Sequence, residues 1–130
     1  MKYILLLALA VGGAAAAVAQ TSPTRLYFLN TMNELTYRLS LQVAATNKTD
    51  IQLKSNRYQM LELPADSLTL FTDDEPRTIH FERGRSYYFV GVRVPLGGYA
   101  LTEMPAYQFW LTVSLNRAKK QEPFGLVVSQ

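Results

Sequence analysis

Tyr37, Leu39, Leu41 and Val43 alternate with Arg38, Ser40 and Gln42. Successive side chains of an extended chain point to opposite faces, so this period of two describes a half-buried strand with one wet side. The same period recurs along most of the chain after residue 23. Thr24–Asn30 is a compact apolar run. Ile51–Lys54 is short and strand-like, and Arg57–Leu63 follows a turn at Ser55 and Asn56. Leu68 and Leu70 alternate with Thr69 and Phe71, and Ile79 and Phe81 with His80 and Glu82. Tyr87–Val94 is apolar on both faces, which suits a central strand, and Pro95 ends it by withholding a ladder donor. Tyr107, Phe109, Leu111, Val113 and Leu115 alternate with Gln108, Trp110, Thr112 and Ser114 and are expected to form another strand. Phe124–Val128 closes the series.

Turn residues interrupt these runs at intervals of about eight to twelve residues. They are Thr46–Asp50, Pro64–Ser67, Asp73–Pro76, Gly84, Leu96–Gly98 and Asn116–Pro123. The expected fold is therefore all-β: a single β-sandwich or partly open barrel of seven to nine short, mostly antiparallel strands. No segment sustains a 3.6-residue period. Helix is expected only as a short turn near Ala106–Gln108 or Arg117–Gln121.

The first twenty residues differ in composition. Lys2 precedes an apolar stretch, Tyr3–Val11, and the segment closes on Ala17, Val18 and Ala19, the small-residue pattern of a signal-peptidase site. A cleavable signal peptide is expected over 1–19, leaving one domain over 20–130. Periplasmic or secreted export follows, with no membrane span after cleavage. The chain contains no cysteine, so it has neither disulfides nor a lipobox for lipid attachment. About 110 residues can bury a sufficient core without such staples. A cysteine-free exported domain suits a bacterial envelope better than a eukaryotic secretory route.

Removing Lys2 from the chain's thirteen basic residues leaves twelve against ten acidic ones. The only basic cluster is Arg117, Lys119 and Lys120, too small for a nucleic-acid footprint. His80 is the sole histidine. A zinc site, which normally needs four ligands, therefore has no nitrogen and sulfur set. No metal or cofactor is expected. Asp73, Asp74 and Glu75 lack the spacing of a calcium loop and read as a solvated turn. Asn47-Lys48-Thr49 matches a glycosylation triplet, read as chance in a bacterial protein.

The segments RLSLQVAA, IQLKSNRYQMLELPADSLTLF and IHFERGRSYYFVGV carry a resemblance across residues 24–94. They resemble the bacterial domain-of-unknown-function family 2846 and related PEGA-like small β-domains. Their pattern includes a Pro-led turn, here PADSLTL, and a "leaGktYYf" block, here FERGRSYYF at 81–89. Ala65 and Asp66 stand where that turn usually carries Gly and a basic residue. The resemblance implies a small β-domain of the envelope and supplies no catalytic residues. Within FERGRSYYF, Gly84 is expected at a positive-φ position of a hairpin or tight turn. Tyr87 and Tyr88 should point to opposite faces.

The expected function is that of a non-catalytic interaction or structural module, contacting an unknown protein or glycan of the cell envelope. Trp110, on the polar side of its expected strand, is either an exposed aromatic or covered by a second sheet or the C-terminal strand, and coverage is the favoured reading. Exposed, it would form a contact patch with Tyr99 and Tyr107, which flank the preceding loop. The alternative is a small periplasmic hydrolase or ligand-processing enzyme, which would need a pocket joining His80 to Glu82 or Glu103.

Overall fold

The computed structural model describes residues 23–43, 48–64, 66–72, 75–93, 95, 99–122 and 124–127. The expected signal peptide, Asn47, Asp73, Asp74 and the Leu96–Gly98 loop lie outside the described residues. Strands β1 (Thr24–Asn30), β2 (Tyr37–Gln42), β3 (Thr49–Leu53), β4 (Arg57–Leu63), β5 (Ser67–Thr72), β6 (Glu75–His80), β7 (Ser86–Arg93) and β8 (Tyr99–Met104) come first. Helix α1 (Ala106–Asn116) follows, then the two-residue strands β9 (Lys119–Lys120) and β10 (Leu126–Val127).

The strands form two open sheets in a β-sandwich. One has the order β10-β4-β1-β7-β8, with β9 also paired to β4. The other has the order β3-β2-β5-β6. Most long pairings are antiparallel, but β1 and β7 run parallel, placing Phe28 beside Phe89 and Tyr27 beside Tyr88. A parallel pair cannot be joined by a hairpin. The chain instead leaves the first sheet after β1 and returns to it at β4 and again at β7.

The alternation read from the sequence becomes a packed interior. Leu26, Phe28, Leu61, Leu63, Phe89 and Leu101 of the larger sheet meet Tyr37, Leu39, Leu41, Leu53, Leu68 and Leu70 of the smaller one. Asn30 ends β1 with its side chain fully buried among this apolar material. Its Nδ2 donates to the carbonyls of Leu35 and Leu53 at 2.7 and 2.8 Å, and its Oδ1 accepts from the Met32 N–H at 2.8 Å. One amide thus satisfies three backbone groups where the chain crosses between sheets. Pro76 sits in β6, an edge strand, where a missing donor breaks no ladder.

Gly84 adopts φ 84° in a turn closed by the Arg85 N–H donating to the Glu82 carbonyl at 3.3 Å. The turn joins β6 of one sheet to β7 of the other, so it is a tight inter-sheet turn and not a hairpin. Beyond it, Tyr87 packs against the sandwich core and Tyr88 against a second apolar layer on the opposite face.

Two segments depart from the sequence reading. Residues 99–104, to which the sequence pattern assigns no element, form β8 against β7. Residues 107–115, expected as a strand, lie in helix α1. Apolar residues two apart over this stretch are also four apart, so Phe109 and Val113 share one helical face as well as they would share a strand face. Pro105 decides between the readings. It stands at the helix N-cap with φ −64°, ends β8, and pre-sets the entry angle of the first turn.

Candidate docking face on helix α1

The larger sheet is covered on its second face by α1. Leu29, Tyr58, Val90 and Phe109 form a buried cluster there, with Tyr27, Tyr88, Met104, Val113 and Phe124 packed around it. Aromatic rings fill most of the space. Tyr27 stacks on Tyr88 with centroids 4.9 Å apart, and Phe109 meets Tyr88 at 5.1 Å. Burial, with Tyr88 alongside, pushes the Tyr27 phenol above its usual range, so this ring stays neutral at ordinary pH.

The helix is anchored at both ends. The Phe109 N–H donates to the Pro105 carbonyl at 3.0 Å. At the other end Arg117 adopts a left-handed conformation (φ 52°). Its N–H reaches the Ser114 carbonyl, and the Ala118 N–H reaches the Val113 carbonyl, which is the Schellman pattern of bonds. Asn56, in the turn before β4, adds a side-chain bond from Nδ2 to the Asn116 carbonyl at 2.8 Å.

These contacts turn a row of apolar residues outward. With 3.6 residues per turn, Tyr107, Leu111 and Leu115 fall on one line, away from Phe109 and Val113. Tyr107 is 76% exposed, Leu111 55% and Leu115 75%, whereas Phe109 is fully buried. Residues 104–116 contain no Asp, Glu, Lys, Arg or His. The helix is therefore apolar toward the sheet and uncharged toward solvent, where the apolar row stands between exposed Gln108 and Ser114, a combination that favours contact surfaces over ordinary wet helices.

Of the three residues expected as a contact patch, Tyr107 and Trp110 are brought together on α1. Trp110 is 37% exposed, set edge-on to Tyr27 at 5.4 Å and to Tyr58 at 5.5 Å. It is neither free on a sheet nor covered by one. It sits on the flank of a helix with one edge in the aromatic layer. Tyr99 opens β8 opposite Arg93, and its side chain lies outside the described residues. The strand reading missed Leu111 and Leu115 as surface residues, because it placed them with Phe109 on the inward face. Their spacing of four from Tyr107 and the absence of charge were the available signals.

The residues of the alternative reading stand on different elements. His80 is exposed on β6 opposite Ser67. Glu82 is engaged by Arg85 at 2.6 Å. Glu103 lies on β8 of the other sheet. Among the described residues, no three His, Cys, Asp or Glu side chains converge as a metal site would require. The outer face of the smaller sheet forms an open trough of about 1020 Å³ lined by Arg38, Ser40, Asp50, Gln52 and Phe71. Lys48 Nζ lies 4.0 Å from the Phe71 ring centroid there, and the trough has the mixed polarity of a solvated sheet face.

Comparison of the chain with protein-family models, with characterised proteins and with solved structures returns no match. Among the described residues, no helix is long and apolar enough to cross a membrane.

Proposed function

We propose that this chain is an exported, non-catalytic module of the bacterial envelope that docks onto another envelope component through the outward face of α1. The observation that carries the reading is the row of Tyr107, Leu111 and Leu115, exposed on a helix without a single charge. Leaving such side chains in water forgoes roughly 1.5–3 kcal/mol of burial for each large apolar residue. The resemblance of residues 24–94 to the small envelope β-domains and the signal-like segment at 1–19 support the location. The place of Glu103 on the other sheet from His80 and the pairing of Glu82 with Arg85 support a non-catalytic role.

The test compares the full chain, expressed with its own leader in a bacterium, with the variant Tyr107→Gln/Leu111→Gln/Leu115→Gln. Glutamine retains helix propensity and replaces only exposed groups. The native chain is expected in the particulate envelope fraction and the variant in the soluble periplasmic fraction, with matching thermal melts. Equal partitioning of the two folded proteins would refute the docking role.

A further inference from the structure

The row on α1 ends beside a group of cations. Arg117, Lys119 and Lys120 are all exposed, and none belongs to the two ion pairs found among the described residues, Arg25–Glu62 and Arg85–Glu82. Lys120 Nζ lies 5.1 Å from the ring centroid of Phe124, and Phe124 packs in the same layer as the helix. Lys120 therefore stands on the helix side of the larger sheet. The nearest acidic residues along the chain are Glu103, before the helix, and Glu122, after β9. Cations thus dominate the C-terminal end.

Three features coincide within one short helix and its exit: a flat apolar row, aromatic side chains on that row and its flank, and cations at its end that are outside the ion pairs of the described residues. A bilayer interface accepts this combination. Apolar side chains enter the acyl boundary, Trp and Tyr rest at headgroup depth, and Lys and Arg meet anionic headgroups. A protein partner or second copy fits less well. A standard protein interface recruits about 20–30 residues a side. The row offers three, with Trp110 on its flank, on a helix about 16 Å long, and a fluid surface needs no matching groove.

Resting on the docking reading above, we infer that the component met by α1 is the surface of an anionic membrane. Tyr107, Leu111 and Leu115 enter the interface, Trp110 lies at its edge, and Arg117 and Lys120 contact the headgroup phosphates, while Lys119, the strand neighbour of Lys120, points to the opposite face. The helix lies along the bilayer plane with its C-terminal end drawn closer. Two weak contributions, one apolar and one electrostatic, give reversible and salt-sensitive attachment.

The experiment uses flotation with vesicles of phosphatidylcholine, alone or mixed equally with phosphatidylglycerol, together with emission from Trp110, the only tryptophan. Three full-length proteins are compared: the native chain, the Tyr107→Gln/Leu111→Gln/Leu115→Gln variant, and Arg117→Gln/Lys120→Gln. Any contribution of residues 1–22 is common to all three, so differences report on the helix. The native chain is expected to float with the mixed vesicles, to lose most binding at high salt, and to shift its emission to the blue. The apolar variant should bind at least about tenfold more weakly. Each lost cation should weaken binding about fivefold. Equal flotation of all three proteins overturns the inference. If the native chain ignores both vesicles while the apolar variant still leaves the envelope fraction, docking stands and the lipid assignment falls. A native dimer that the apolar variant converts to monomer assigns the face to a second copy and also overturns it.

Discussion

The ring of Tyr37 occupies the space where any side chain at residue 91 would have to begin. A Cβ built on Gly91 would lie far inside van der Waals contact with Cδ2 and Cε2 of that ring, so β7 approaches β2 across the sandwich only because residue 91 is glycine. Gly91→Ala gains up to about 1 kcal/mol in strand entropy, but overpacking a fully buried ring costs about 1–3 kcal/mol. The net change is expected to be destabilising, read as a lower urea midpoint at unchanged m. Adding Tyr37→Leu should recover part of the alanine's effect, so the double variant should be less damaged than the sum of the singles.

Asn30 is the polar counterpart of that contact. Asn30→Ala leaves two carbonyls and one N–H without their partner in a dry environment. A loss of about 2–4 kcal/mol is expected. Asn30→Leu should do no better, although leucine fills the volume, because the stranded backbone groups are the same. An equilibrium melt showing Asn30→Leu as stable as the native chain would contradict this account.

Asn56 serves both a turn and a helix. Its φ of 56° favours Asn or Gly over alanine, and its side chain caps the Asn116 carbonyl. Asn56→Ala is expected to cost about 1–2 kcal/mol and Asn56→Gly less, since glycine removes the bond but keeps the conformation. Comparing the two midpoints separates backbone strain from the cap.

Neighbours on α1 should differ sharply. Phe109 is fully buried, so Phe109→Ala should cost about 3–5 kcal/mol. Trp110→Ala should cost less, because one edge of the ring is in water. Trp110 emission should be intermediate in wavelength and partly quenched by acrylamide. A fully protected or freely quenched Trp110 would conflict with its position on the flank of the helix.

Alkaline pH should loosen the aromatic layer. The Tyr27 phenol is pushed up by burial and then by Tyr88, so the folded state prefers it protonated. That preference contributes in full below the unfolded tyrosine range near pH 10 and is lost as pH rises through the folded value. Urea midpoints should therefore fall above about pH 10, and Tyr27→Phe should flatten part of that fall.

The sequence by itself determined the predominantly β character of this protein and left a sandwich and a partly open barrel as alternatives. Alternation at Tyr37–Val43, Leu68–Leu70 and Ile79–Phe81 identifies inward faces, because a strand's side-chain period is fixed by backbone geometry alone. The both-faced apolar run at Tyr87–Val94 likewise indicates the central position that β7 occupies between β1 and β8. Tertiary structure alone decided the rest. Spacings of two and four coincide over residues 107–115, so periodicity could not separate strand from helix; the uncovered apolar face of the larger sheet and Pro105 made it α1. The parallel pairing of β1 with β7, the buried amide of Asn30 and the fit of Tyr37 over Gly91 all join residues far apart in the chain, where local pattern has no reach. The half-exposed setting of Trp110 and the outward row of Tyr107, Leu111 and Leu115 follow from that choice of helix, since only the sheet beneath α1 fixes which side of it meets solvent.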